Sequence, residues 1–214
     1  TLHSVFGTSG LTLYRVIRAT GTYSNMVYIG TSVGIYSYDV SSPATPTLMS
    51  ITGMLDSDVR ELAFDEITEY LWAGHEEGMS RIDLSTNTAT QYDNGTGNPL
   101  DGLSDANIEC RPGHLTAHNG FVFRTIPTSD NKWLLQDGVG YCQVNAYGRV
   151  FHGSTIRKSN GHLVWRGEYA WDVWNVTGIT GPNTGTFNYV EAYNPGISEN
   201  SVCSAGLLEL ADDK

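Results

Sequence analysis

The sequence predicts an all-β fold assembled from repeated four-stranded antiparallel units, and three observations carry that expectation. The composition favours residues of strands and tight turns, with 24 Gly, 22 Thr, 12 Tyr and 5 Trp in 214 residues, and only 16% of residues are charged, which is low for a helical protein. A hairpin pattern occurs twice at a spacing of 44 residues, from Gly30 to Gly74. Short strand-like runs divided by Gly, Asn and Pro signals then continue towards the C-terminus. A chain of this length buries roughly 70% of the surface its unfolded form exposes, enough for one sizeable core or two small ones.

The repeat is the most informative feature. Val27 to Val40 aligns without gaps on Leu71 to Leu84, with Gly30 and Gly74, Gly34 and Gly78, and Asp39 and Asp83 identical and the apolar positions between them coinciding. Each copy reads as an apolar strand, a turn entered through the first Gly, a second Gly where positive φ is cheap, and an alternating strand. Gly30, Gly34, Gly74 and Gly78 are therefore expected at turns. Neighbouring strand-like runs extend the unit to four strands in 44 residues, the size of a β-propeller blade, which cannot bury its own faces and must stack on others. A helix over 58–70 is the rival reading, since Val59, Leu62, Ala63, Ile67, Tyr70 and Leu71 fall at near-helical spacing behind the candidate N-caps Asp56 and Asp58. The repeat favours a strand through Arg60 to Phe64, a turn at Asp65 to Glu69, and then the aromatic strand.

Beyond residue 125 the period fades. Lys132 to Tyr141 again has an aromatic strand and a Gly turn, but Trp133 lies 61 residues after Trp72, so either the blade carries an insertion or a different β-fold begins. The expected division is a propeller-like region at 1–125 and a β-rich region at 126–214, either irregular blades or a second small domain. Later strands are expected at Tyr147 to Phe151, His162 to Trp165, Trp171 to Val176 and Thr186 to Tyr193. Fewer than five 44-residue units fit, so the ring is incomplete or irregular, and bare strand edges argue for an oligomer or a larger parent.

The stretch Leu71-Trp72-Ala73-Gly74-His75-Glu76-Glu77-Gly78-Met79-Ser80-Arg81-Ile82-Asp83, then Tyr92, then Asp101-Gly102-Leu103-Ser104-Asp105-Ala106-Asn107-Ile108 resembles the two-component-regulator type of propeller repeat. The resemblance extends over about residues 20–125. Two positions depart from it. His75 stands where Thr is expected, and Phe121-Val122-Phe123 runs into Arg124-Thr125-Ile126-Pro127 rather than a Gly turn. The resemblance implies a scaffold for binding and signalling contacts, with no shared catalytic residues.

The formal charge of −11, with three Lys and nine Arg scattered along the chain, argues against nucleic acid or an anionic membrane as partner. No run reaches the roughly 18–20 apolar residues of a membrane span. Position 1 is Thr and no signal-peptide pattern follows it, so this end is expected to be processed or an internal boundary. Cys110, Cys142 and Cys203 are far apart with no CxxC pair, leaving three thiols or one disulfide and a free thiol. Asn94 and Asn175 begin N-glycosylation triplets, meaningful only in a eukaryotic secretory setting.

No metal or cofactor is expected. Of the six histidines only His114 and His118 are close, and on a strand or loop that spacing does not aim two rings at one ion. Asp56-Ser57-Asp58 and Asp93-Asn94-Gly95 read as turn formers rather than calcium loops. HExxH and Walker patterns are absent from the sequence, and no GxSxG elbow is expected, because the match at Gly30-Thr31-Ser32-Val33-Gly34 reads as the turn of the repeated hairpin. The candidate ligand-binding residues are Trp165, Glu168, Trp171, Asp172 and Trp174, because aromatic faces stack on the apolar faces of sugar rings and a glycosidase needs a pair of acids; the plain alternative is core anchors beside solvated acids. The expectation is a non-enzymatic structural or adhesive module binding protein subunits or a glycan at an extracellular or virion surface, such as a bacteriophage tail-associated protein. A ligand-sensing receptor ectodomain is the alternative, and a glycan-processing enzyme ranks last.

Overall fold

The computed structural model describes residues 10–42, 44–96 and 110, and the strand residues 115–118, 121–125, 131–136, 140–145, 151–157, 162–167, 171–181 and 184–193. Regular structure among them is β throughout, apart from one 3-10 turn at Gly21–Tyr23. Sheet 1 contains β1 (Leu13–Arg18), β2 (Met26–Thr31), β3 (Gly34–Asp39) and β4 (Thr47–Leu48). Sheet 2 contains β5 (Glu61–Phe64), β6 (Tyr70–His75), β7 (Gly78–Asp83) and β8 (Thr88–Tyr92). Sheet 3 contains β9 (Leu115–His118), β10 (Phe121–Thr125), β11 (Asn131–Gln136) and β12 (Gly140–Asn145). Sheet 4 contains β13 (Phe151–Arg157), β14 (His162–Gly167), β15 (Trp171–Gly181) and β16 (Thr184–Tyr193). Each sheet is an antiparallel meander in chain order, the strand arrangement of a propeller blade.

The chain divides into two compact units, Thr1–Pro112 and Gly113–Lys214. The boundary expected at 125/126 would cut sheet 3 between β10 and β11, which are paired from Phe121 and Gln136 to Thr125 and Lys132. The fading of the period has the same origin. Trp133 lies on the third strand of its sheet, whereas Trp72 lies on the second strand of sheet 2, so the two are not counterparts. The counterpart of β6 is β10, whose first residue, Phe121, lies 51 residues after Tyr70. Extra length between β8 and β9 displaces the unit, and β10 and β11 are joined through residues 126–130 where two residues join β6 to β7.

Within the first unit the repeat is kept strand for strand. The bounds of β2 and β3 recur in β6 and β7 at the 44-residue offset, and the end pairs Thr31 with Gly34 and Met26 with Asp39 recur as His75 with Gly78 and Tyr70 with Asp83. The segment 58–70 forms a strand, a turn and a strand, not a helix.

The four glycines answer two different demands. Gly34 and Gly78 follow the two-residue hairpin turns at φ +133° and +137°, where an L side chain is strained. Gly30 and Gly74 lie inside β2 and β6 rather than at the turns. A Cβ on Gly30 would come within 2.8 Å of the Val59 carbonyl, and one on Gly74 within 2.7 Å of Cys110 Cβ. At these points the segment entering the next sheet lies against the strand, and Val59 N–H donates to the Thr31 carbonyl at 2.9 Å as Cys110 N–H does to the His75 carbonyl at 2.7 Å. Asp39 and Asp83 close both repeats identically, each Oδ1 accepting from the N–H of Ser41 or Ser85 at 2.8 Å and from its hydroxyl at 2.6 Å. Those serine bonds hold both carboxyls below their ordinary value of 3.8.

The core of this unit lies between sheets 1 and 2. Tyr28 and Ile35 of sheet 1 meet Leu62, Leu71, Ala73 and Ile82 of sheet 2, with Val59 of the connection between them. The neighbouring Trp72 is buried on the other side of β6, its ring 5.1 Å from that of Tyr92. Burial of both faces explains why Leu71-Trp72-Ala73 is continuously apolar instead of alternating.

Gly30→Ala is expected to destabilise the fold by about 1–3 kcal/mol, the range for overpacking a filled site. Ile67→Ser, at a turn residue 65% exposed, is expected to stay within about 0.5 kcal/mol. Urea unfolding of the two variants beside the parent measures both.

Candidate functional site

One end of sheets 1 and 2 gathers most of the polar chemistry described in the first unit. The antiparallel register brings the start of β1 beside the end of β2 and the start of β5 beside the end of β6. Tyr14, Arg15, Glu61, His75 and the turn residues Glu76 and Glu77 therefore collect there, with the connecting segment Ile51 to Arg60 running between the sheets.

Glu61 is fully buried, and a buried carboxylate requires partners. Its Oε1 accepts from the Leu62 N–H at 3.0 Å and lies 2.9 Å from Arg15 Nε across the sheet interface. The Arg15 N–H is not aligned on that oxygen, so the cross-sheet contact is chiefly coulombic. Arg60 carries a second chain, with Nε 2.9 Å from Asp58 Oδ2 and Nη2 2.6 Å from Glu76 Oε2. Desolvation and the Asp58 carboxylate together raise the pKa of the Tyr14 phenol above its ordinary value of 10.

His75 forms the third part and is also fully buried. Its Nδ1 lies 3.2 Å from the Asp58 carbonyl, which can only accept, so Nδ1 carries the proton. Nε2 then accepts from the Ser80 hydroxyl at 2.9 Å, and Ser80 Oγ accepts from the Leu55 N–H at 2.9 Å. Burial lowers the imidazole below its ordinary value of 6.5, against the opposing pull of the Asp58 carbonyl and the Asp56 and Asp58 carboxylates. A hydroxyl within reach of an imidazole is the geometry of a nucleophile and its base. Here both residues are 0% exposed and tie down the Leu55 to Asp58 segment, so no substrate reaches Ser80 Oγ.

The residues singled out in the sequence lie elsewhere. Trp165 lies on β14, and Trp171, Asp172 and Trp174 lie on β15. Backbone pairing sets Trp165 opposite Asp172, Arg166 opposite Trp171 and Leu163 opposite Trp174. Glu168, His114 and Cys203 lie outside the described residues, His118 ends β9 and Cys142 lies on β12. Cys110 is buried. Asp56 Oδ1 accepts from the Asp58 N–H at 3.2 Å and Asp93 Oδ1 from the Gly95 N–H at 2.8 Å, so both caps belong to turns. Among the described residues, no group of three or more His, Cys, Asp or Glu side chains could hold a metal ion. Nor does any described helix have the length and apolarity to cross a membrane. Sequence reasoning missed the Arg15–Glu61 and His75–Ser80 pairs. The departure of His75 from Thr in the repeat was the signal for the second.

These meandering blades define an all-β, propeller-like protein, and comparison with solved structures agrees. Virginiamycin B lyase from Staphylococcus aureus matches with a TM-score of 0.52 at 13% identity, over 83% of this chain and 54% of its own. U3-55K matches with a TM-score of 0.53 at 10% identity, over 78% of this chain and 50% of its own. A chain of the nidogen/laminin complex matches with a TM-score of 0.50 at 12% identity, over 86% of this chain and 80% of its own. At these identities the likeness shows the fold alone. The chain spans about half the length of the first two. No family model and no curated protein sequence matches the chain.

Two outcomes are expected at this end of the sheets. Below 6.5 the unfolded chain takes up a proton at His75, while the folded chain resists until its lower value is reached. Stability is therefore full above 6.5 and falls as the pH drops through that window. The urea midpoint should be lower at about pH 5.5 than at about pH 7.5, and the difference should shrink in His75→Asn; an unchanged difference would place the titration elsewhere. Arg15→Met is expected to cost about 1–3 kcal/mol. That is less than the roughly 3–5 kcal/mol of breaking a fully buried pair, because Arg15 is 36% exposed and water screens its charge.

Proposed function

We propose that the chain is a non-enzymatic structural or adhesive module whose propeller-like blades recognise another protein or a glycan. Its setting is an extracellular or virion surface, such as a cell-surface recognition domain or a tail-associated bacteriophage protein. The observation that carries this reading is the use made of the polar end of sheets 1 and 2. Ser80, His75 and Glu61, and the Asp58–Arg60–Glu76 chain, join the sheets and the segment between them.

Support for a glycan comes from β14 and β15, where the register sets Trp165, Asp172 and Trp174 on one face of the sheet and Trp171, opposite Arg166, on the other. Aromatic faces of that kind stack on sugars. Support for a protein partner comes from the nidogen/laminin complex, in which a chain of similar fold is part of a protein assembly. A ligand-sensing ectodomain of a signalling receptor is the second reading, favoured by the resemblance of Leu71 to Ile108 to repeats of that kind. A glycan-processing enzyme using Glu168 and Asp172 ranks below both.

A glycan array probed with the parent chain and with Trp165→Ala tests the sugar reading. Binding by the parent that falls at least about tenfold in the variant, the loss typical of a central aromatic contact, is the expected result. Failure of both proteins to bind removes the glycan. Hydrolysis of a bound glycan that disappears in Glu168→Gln would overturn the non-enzymatic reading.

A further inference from the structure

The connection between sheets 1 and 2 is fastened through the backbone at its ends and through one imidazole–hydroxyl pair in its middle. At one end Thr52 N–H donates to the Asn87 carbonyl at 3.0 Å and Ala89 N–H to the Thr52 carbonyl at 2.8 Å. At the other, Val59 N–H donates to the Thr31 carbonyl at 2.9 Å and Arg60 N–H to the Gly74 carbonyl at 2.8 Å. Residues 53–58 between them bond to sheet 2 through the Leu55 N–H, which donates to Ser80 Oγ, and the Asp58 carbonyl, which accepts from His75 Nδ1. The repeat marks that pair as an addition. The positions of His75 and Ser80 are Thr31 and Tyr36 in sheet 1, where Thr31 closes its own hairpin and neither residue takes up a proton near neutral pH.

Neutral His75 fits this network with no hydrogen to spare. Ser80 Oγ gives its own hydrogen to Nε2 and receives that of Leu55. A proton on Nε2 turns the ring's acceptor into a second donor, and Ser80 Oγ then faces three hydrogens: the ring's, the Leu55 amide's and its own. Among the described residues Ser80 Oγ has no further partner, and both side chains are 0% exposed, so a hydroxyl left without an acceptor is costly. The charged groups around the ring are the Asp56 and Asp58 carboxylates, which favour the proton, Arg60 between Asp58 and Glu76, and Glu61 beside Arg15. Cys110, whose N–H donates to the His75 carbonyl, adds a thiol. Burial outweighs the two aspartates and holds the imidazole below its ordinary value of 6.5.

We propose that residues 53–58 are a proton-operated flap, which lifts from sheet 2 when His75 takes up a proton in mildly acidic solution while both sheets stay folded. Lifting admits water to take the hydrogen that Ser80 cannot place, and the backbone bonds of Thr52 and Arg60 hold the two ends. Asp58 moves with the flap, so the charges at the polar end are rearranged without unfolding a blade. The closed flap is fully favoured above 6.5, the value of the imidazole once open, and loses ground as the pH falls below it. The inference is independent of whether the module recognises a protein or a glycan.

Amide hydrogen exchange followed by nuclear magnetic resonance tests it, with rates corrected for the intrinsic effect of pH. From about pH 7.5 to about pH 5.5, protection of the Leu55 amide should fall about tenfold, the gain in opening one unit below the free imidazole's 6.5. The amides of Ala73 in β6 and Met79 in β7 should keep theirs. In His75→Thr, which installs the residue of sheet 1, Leu55 protection should not change with pH. His75→Asn, which keeps a donor and an acceptor but takes up no proton, serves the same purpose should threonine prevent folding. Leu55 protection that stays constant in the parent overturns the proposal. So does a loss shared equally by Ala73 and Met79, which is unfolding of the sheet, or a loss that persists when His75 is replaced.

Discussion

The first unit depends on how closely one sheet's lead-in segment can lie against the strand before it. Val59 donates its N–H to the Thr31 carbonyl only because Gly30 has no Cβ to hold the two backbones apart. That contact sets the separation of sheets 1 and 2, and with it the packing of Tyr28, Ile35, Leu62, Leu71 and Ile82. It also brings β1 near enough to β5 for Arg15 to reach Glu61. Hydrophobic burial favours stacking of the sheets, but it has no direction. The hydrogen bond and the missing Cβ supply the registration.

Polar residues at that junction extend the same job. Burying Glu61 and His75 is unfavourable unless each finds partners, and beside Leu62 and Ser80 of their own sheet those partners are Arg15 across the interface and Asp58 of the connecting segment. A polar group that must be satisfied by a neighbouring element ties stability to one arrangement of the sheets, which apolar packing alone specifies less sharply. Ser80 and His75 illustrate how little a catalytic-looking distance means without access. Their 2.9 Å contact is bonded at both ends to the backbone of the connecting segment.

Much of this was legible in the sequence wherever it follows from local periodicity. The hairpins, the strand through Glu61 to Phe64 against the helical alternative, and the positive φ of Gly34 and Gly78 all follow from a pattern repeated at 44 residues. Gly30 and Gly74 were misplaced at turns because a glycine needed for close approach looks the same in sequence as one needed for a turn. Sheet 3 was obscured because Trp133 and Trp72, similar in local context, belong to different strands of their sheets. The Arg15–Glu61 pair joins residues 46 positions apart, and no local pattern specifies such a meeting. Only His75 announced itself, by replacing the hydroxyl residue that Thr31 provides in the other copy.

Thr31 and His75 occupy the same slot and solve it differently. Thr31 Oγ1 donates to the Gly34 carbonyl and accepts from the Val33 N–H, closing its own hairpin. His75 and Ser80 instead reach out to Asp58 and Leu55, and Thr52 exchanges backbone bonds with Asn87 and Ala89. The segment between the sheets is thus fastened to sheet 2 at several points and, past Thr52, to sheet 1 through the backbone bond of Val59. Under tension the seam would part on the sheet 1 side, leaving the segment with sheet 2. Mechanically, the unit that holds together is a sheet with the strap that precedes it, not the strap that follows.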